Sequence, residues 1–181
     1  MRYLPNGKQM SEADAHTIHK IGIPSLVLME RAALQIVETM HKKNISTEKS
    51  LIVCGSGNNG GDGFAVARLL TEQGKHADVL FAGKEASLSE ECRCQKQIVE
   101  NMGISVFTEF PDEEYTVIID AVFGVGLCRE ITGHYKDVID WMNLQDTEKV
   151  AVDIPSGICA ATGEILGTAF RADLTVCMAC V

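Results

Sequence analysis

Three short segments carry residue types suited to ligand chemistry. The first is Gly55-Ser56-Gly57-Asn58-Asn59-Gly60-Gly61-Asp62-Gly63, with five glycines in nine residues. It follows the apolar run Leu51-Ile52-Val53-Cys54 and precedes Phe64-Ala65-Val66-Ala67-Arg68-Leu69-Leu70. Glycine lets backbone pass close to a ligand and take positive φ. The helix start behind such a turn presents free N–H groups and a positive dipole end to an anion. Gly55, Gly57 and Gly60 match G-x-G-x-x-G, a short pattern that means little outside a strand–turn–helix context. The ribose-binding acid expected about twenty residues on would fall in His76-Ala77-Asp78-Val79-Leu80-Phe81, yet Asp78 lies inside that run rather than at its end. The plain alternative is a tight turn with no ligand. Asn58, Asn59 and Asp62 add amide and carboxylate groups that a simple phosphate turn does not need.

The second segment is Asp120-Ala121-Val122-Phe123-Gly124-Val125-Gly126-Leu127-Cys128-Arg129, after Thr116-Val117-Ile118-Ile119. The third is Asp153-Ile154-Pro155-Ser156-Gly157, after Lys149-Val150-Ala151-Val152. Asp120 and Asp153 each stand where an apolar strand is expected to end. A carboxylate there must be solvated, paired, metal-bound or catalytic, and a capping or turn role is the ordinary alternative. Pro155 and Gly157 fix a sharp loop that holds Ser156 just beyond Asp153. Arg129 can pair with a phosphate through its planar fork, or be a plain surface arginine. Asn59, Asp120 and Ser156 offer one oxygen-bearing group from each segment. Oxygen-only ligation suits a hard cation better than zinc, and one carboxylate among neutral oxygens points to a monovalent ion.

Alternating strand and helix signals explain how distant segments would meet. Strands are expected over 51–54, 77–81, 104–107, 115–119, 149–152 and 174–178. Helices are expected over 62–73, 87–102 and 134–143, with Gly74 and Gly103 as stops. Alternation of this kind builds a parallel sheet with helices on both faces, and ligands gather at the carboxyl ends of its strands. Two helices come first. Ser11-Glu12-Ala13-Asp14 resembles a capping start and Gly22 an end. Pro24-Ser25 opens the second helix, whose Met29, Ala32, Ala33, Ile36 and Met40 recur at helical spacing. Glu30 and Arg31 interrupt that stripe, either as solvated charges or as a structural pair near the glycine loop. No repeat, low-complexity tract or linker breaks the chain, so residues 1–181 read as one domain.

Composition narrows the function classes. The 181 residues are enough for one α/β domain with a substantial core. With 25 acidic against 16 basic residues the formal charge is −9, which argues against nucleic acid or an anionic membrane as partner. No run is apolar enough to span a bilayer, and Met1-Arg2-Tyr3-Leu4-Pro5-Asn6 lacks a secretory apolar stretch. Seven dispersed cysteines fit reduced thiols in a cytoplasmic protein. Cys177 and Cys180 have metal-like spacing, but they lie on strand-like sequence without a histidine pair, so zinc is not expected.

Four motifs in order resemble the NAD(P)HX epimerase family, the YjeF N-terminal domain. They are Leu28-Met29-Glu30-Arg31-Ala32-Ala33, then Gly57 to Gly63, then Asp120-Ala121-Val122-Phe123-Gly124-Val125-Gly126-Leu127, then Val152-Asp153-Ile154-Pro155-Ser156-Gly157. Ala172-Asp173-Leu174-Thr175-Val176 is also similar to the family, and the resemblance runs from Gln9 to Val181. It implies a Rossmann-like three-layer α/β/α sandwich with a mostly parallel sheet and N-terminal helices. It implies an isomerase that interconverts the R and S forms of hydrated NADH or NADPH, so that a partner dehydratase can restore the cofactor. By the same resemblance Asn58, Asn59, Gly60, Gly61 and Asp62 contact the substrate, as do Gly124, Val125, Gly126, Leu127, Cys128, Arg129 and Glu130. Asp153 contacts it too and serves as acid and base. Asn59, Asp120 and Ser156 would bind a potassium ion. A homodimer is implied. Members normally continue with another strand and helix, and many bacterial relatives carry a dehydratase domain downstream.

The chemistry suits the residues. C6 of the hydrate is a carbinolamine carbon, whose hydroxyl leaves once an acid protonates it and whose ring nitrogen supplies the electrons. Water then returns to the other face with help from a base. Ring opening to an aldehyde is a rival route. A non-catalytic binding or dimerisation module of the same fold is the competing function, and a hydride-transferring dehydrogenase ranks lower because no distinct catalytic residue pair for hydride transfer is evident.

Overall fold

The structure, a computed structural model, describes residues 7–178. Met1 to Asn6 and Cys180, both used in the sequence reading, lie outside that range. The described elements are α1 (Gly7–His16), α2 (Ser25–Lys42), β1 (Lys49–Cys54), α3 (Asn58–Glu72), β2 (His76–Phe81), α4 (Glu90–Asn101), β3 (Val106–Phe107), β4 (Val117–Ala121), α5 (His134–Leu144), β5 (Glu148–Val152) and β6 (Leu174–Val176). A π-helical segment, Thr17–Ile21, joins α1 to α2.

The six strands lie in the order β3-β2-β1-β4-β5-β6, and every ladder is parallel. The chain therefore runs outward from β1 in one direction, returns, and runs outward in the other. The switch lies between β1 and β4, where a crevice opens at the carboxyl edge. Central strands of a parallel sheet are covered on both faces and read as continuous apolar runs. Leu51 to Cys54 and Val117 to Ile119 are such runs and are buried throughout. Strand alternation splits them between two cores. Ile52, Cys54, Val117 and Ile119 pack with α2, α3 and α4. Leu51, Val53 and Ile118 pack with α5 through Val138, Ile139 and Met142. The expected three layers and N-terminal helices are present.

Several expected boundaries move for identifiable reasons. Helix α3 begins at Asn58 rather than residue 62, so the Asn-Asn-Gly-Gly stretch forms its first turn. None of the five glycines from Gly55 to Gly63 has positive φ. They serve close approach instead. A Cβ on Gly55 would sit 2.1 Å from the Val122 carbonyl oxygen, and one on Gly60 would sit 2.0 Å from that of Gly55. Asp120 does not end its strand. β4 runs on to Ala121 because the buried carboxylate is met by hydrogen bonds inside the fold. Helix α4 starts at Glu90, where Ser89 caps it by accepting the Cys92 N–H at 3.2 Å. Strand β3 shrinks to two residues at the sheet edge, and β6 stops at Val176 rather than 178. The Ser11 segment is not a cap but the interior of α1. Gly22, Gly74 and Gly103 do stop their helices with left-handed backbone. In α2, Met29, Ala33, Ile36 and Met40 are buried, joined by Val37, while Ala32 is only partly covered. Glu30 pairs with Arg68 of α3, and Arg31 stays exposed.

Gly55→Ala forces a methyl group against the loop after β4. It should cost roughly 1–3 kcal/mol, read as a lower denaturant midpoint with an unchanged m-value. An unaltered midpoint would contradict the packing.

Candidate functional site

A cleft of about 980 Å³ opens along the carboxyl edge of the sheet. Each strand-end loop contributes one wall. The glycine loop and first turn of α3 supply Ser56, Gly57, Asn58, Asn59 and Asp62. The loop after β4 supplies Val122 to Arg129, and the loop after β5 supplies Asp153 and Ile154. Helix α1 crosses the opening and adds Gly7, Met10, Ser11 and Asp14, while Lys84 and Ser87 close the β2 end. Of the residues singled out in the sequence, Asn58, Asn59, Asp62, Gly124 to Arg129 and Asp153 all line this cleft. Gly60 and Gly61 lie behind it, packed on Gly55 and Met29. Glu130 is exposed and packs beside Gly167. Asp120 and Ser156 sit fully buried beneath the cleft floor.

Asp120 ties two of the loops together. Its Oδ1 accepts the Ser156 hydroxyl at 2.7 Å and the Val122 N–H at 3.1 Å, and its Oδ2 accepts the Ser156 N–H at 2.7 Å. The Ser156 Oγ in turn accepts the Phe123 N–H at 2.9 Å. Among the described residues no cationic side chain pairs with Asp120. Burial pushes its carboxyl up to about 6, against the pull of these hydrogen bonds. Asn59 is the third residue of the expected oxygen set, and among the described residues its buried Nδ2 has no hydrogen-bond partner. An amide's oxygen and nitrogen are exchangeable by rotation. Turned over, Asn59 would aim an oxygen at the position its nitrogen leaves unmet.

Asp153 stands on strained backbone. Its φ of +68° is left-handed, uncommon for a residue with a Cβ. Its N–H donates to the Val176 carbonyl at 2.8 Å, and its Oδ2 accepts the Val125 N–H at 3.2 Å. A Cβ on Gly124 would lie 2.9 Å from that Oδ2 and 3.3 Å from the Asn59 amide. Gly124 is therefore where the three loops converge, and any larger residue would wedge them apart.

Two acids join Asp153 in the cleft. Burial, with the neighbouring Asp153 and Asp14 carboxylates adding to it, pushes the Asp62 carboxyl up to about 8. Burial and then Asp153 also raise Asp14. Asp62 thus holds a proton at neutral pH. The sequence reading placed Asp62 at the site but missed Asp14, which looked like part of a helix cap. Nothing in its local pattern marks a cleft residue; only the folding of α1 over the sheet edge does. Lys84 was missed as well, although its place just past the β2 run was a usable signal.

The YjeF-related protein N-terminus family matches residues 25–181. An NAD(P)H-hydrate epimerase of Oenococcus oeni is 43% identical over 175 residues, covering 96% of this chain and 83% of the relative. One from Limosilactobacillus reuteri is 45% identical over 178 residues, with 97% and 84% covered. One from Weissella koreensis is 42% identical over 172 residues, with 94% and 78% covered. Among solved structures, yeast ynu0 (YNL200c) superposes with a TM-score of 0.83 at 20% identity, over 97% of this chain and 79% of that one. That similarity shows a shared fold.

A carboxyl whose folded value lies far above its ordinary 3.8 adds stability that is fully present below the unfolded value. That stability is lost as pH rises toward the folded value. Asp62→Asn should therefore raise the Tm over wild type by more at pH 8 than at pH 5. A difference independent of pH would show that Asp62 ionises normally.

Proposed function

The chain belongs to the YjeF-related protein N-terminus family, and from that premise we propose that it is an isomerase, an NAD(P)H-hydrate epimerase. Its substrates are the hydrated nicotinamide cofactors NADHX and NADPHX, whose R and S forms it interconverts. The observation that carries this reading is the Asp153 carboxyl, held in the cleft on left-handed backbone and facing a second, protonated carboxyl on Asp62. A binding module has no use for strained backbone and an unpaired acid pair, whereas proton transfer at one carbon needs both a donor and an acceptor.

The steps follow from these groups. Asp62 gives its proton to the hydroxyl on C6, the C6–O bond breaks, and the ring nitrogen's lone pair forms a C=N bond to C6. Water leaves. The ring now carries positive charge in a cleft lined by acidic groups, which favours it. Water adds to the opposite face of C6 as Asp153 takes its proton, and the C=N electrons return to nitrogen. The two carboxyls come from different loops, so donor and acceptor need not be the same group. A proton passed back from Asp153 to Asp62 resets the site.

Asn59, Asp120 and Ser156 fit a potassium ion. They offer oxygens, one of them charged, around a fully buried carboxylate that lacks a cationic side chain. Potassium there would offset the Asp120 charge and brace the loops that carry Asp153. Coupling to a dehydratase, which consumes one epimer, gives the reaction its use. A homodimer through the N-terminal helices is supported by exposed Ile21, Leu26, Val27 and Leu34. Among the described residues no helix is long and apolar enough to cross a membrane. Six cysteines there are unpaired, which supports action in the reducing cytoplasm.

Chiral chromatography of a mixed hydrate tests the activity. Asp153→Asn should slow epimerisation about 10²–10⁴-fold with the Tm kept, and unchanged turnover would remove Asp153 from the reaction. Replacing sodium by potassium at fixed ionic strength should raise the wild-type Tm but not that of Asp120→Asn. An equal response of both proteins would refute the ion site.

A further inference from the structure

The β2 end of the cleft contains chemistry that epimerisation at C6 does not use. Asp153 follows β5, so the hydrated ring lies over the β4–β6 half of the sheet. A dinucleotide laid across the switch between β1 and β4 then places its adenosine over the β1–β3 half. The group just beyond β2 meets the adenosine ribose. Folds of this order commonly set an acid there to accept the ribose 2′-hydroxyl, or a cation to hold a 2′-phosphate.

Here the strand ends Phe81, and Ala82, Gly83 and Lys84 follow. Lys84 lines the cleft and enters no ion pair among the described residues. Its backbone is clamped. The Lys84 N–H donates to Ser56 Oγ at 2.7 Å, and that hydroxyl donates to the Lys84 carbonyl at 3.2 Å. A Cβ on Gly83 would lie 2.3 Å from the same Oγ, so the glycine is what lets the β2 loop sit against the glycine loop. Ser87 stands on the same wall. No acid occupies the ribose position. Glu85 pairs with Lys96 at 2.8 Å. Asp78 is buried within β2, where it accepts the Tyr115 hydroxyl at 3.1 Å and meets His76 Nε2 at 2.9 Å.

We propose that Lys84 reads the 2′-phosphate of the adenosine ribose, so that this chain prefers the 2′-phosphorylated hydrate, NADPHX, over NADHX. The inference rests on the epimerase reading for its substrate, but its binding component can be measured apart from activity. The phosphate takes charge-assisted hydrogen bonds from the ammonium group and has Ser87 within the same wall as a neutral donor. A 2′-hydroxyl in its place leaves Lys84 without an anion and meets no acceptor carboxylate.

Calorimetry with adenosine 2′,5′-bisphosphate and adenosine 5′-monophosphate separates the possibilities. Wild type should bind the bisphosphate about tenfold more tightly, and Lys84→Glu should abolish or invert that preference. With the hydrates, the ratio of kcat/KM for NADPHX to that for NADHX should fall by a similar factor in Lys84→Glu, mainly through KM. Equal binding of the two adenosine ligands by wild type, or a preference retained in Lys84→Glu, overturns the assignment. A retained Lys84-dependent preference without turnover of either hydrate would strike the epimerase reading alone.

Discussion

The site depends on one buried carboxylate. Asp120 lies wholly inside the sheet edge, and its two oxygens hold the Ser156 hydroxyl, the Ser156 N–H and the Val122 N–H. Those bonds fix the loop after β4 against the loop after β5. Val125 then reaches Asp153 and Gly124 comes under Asn59. A charge buried this deeply is costly unless it is well compensated. The hydrogen bonds meet part of that need, and a potassium ion bound by Asn59, Asp120 and Ser156 would meet the rest. Loop geometry and the proposed cation binding would then answer the same electrostatic problem.

The cleft above is electrically polarised. Asp14, Asp62 and Asp153 gather under and beside α1, while Lys84 stands on the β2 wall and Arg129 on the β4 loop. A cofactor hydrate has the matching polarity. Its phosphates are anionic, and its ring becomes cationic only when the C6–O bond breaks. In the proposed reaction, acidic groups near the ring would favour that charged state over the neutral ground state, which is the condition for catalysis rather than mere binding. Burial, with their repulsion adding to it, keeps a proton on Asp62, where the proposed first step needs one.

Much of this was legible in the sequence because the sheet is built from apolar runs bounded by glycine. β1, β2, β4 and β5 fall close to their expected places, and the three chemically unusual segments follow strands, so the fold rule brings them to one edge. Local pattern failed where tertiary contact decides. The Asn58–Gly61 stretch reads as a loop, yet it winds into α3 because Gly60 and Gly61 let the turn press on Gly55 and Met29. Asp120 reads as a strand terminator, yet it continues β4 because partners distant in sequence satisfy it. Asp14 is invisible until α1 folds across the cleft. Asp62 stands out in the sequence and lines the cleft, but its retained proton reflects burial, with two acids from other segments adding to it, and no spacing rule shows either.

Inversion by loss and return of oxygen at C6, between two carboxyl groups, would leave an isotopic signature. Epimerisation of a single hydrate form in water enriched in ¹⁸O, followed by mass spectrometry of the separated epimers, tests it directly. The newly formed epimer should carry the heavy isotope at C6 from the earliest time points. A fully inverted product that retains its original oxygen would contradict it.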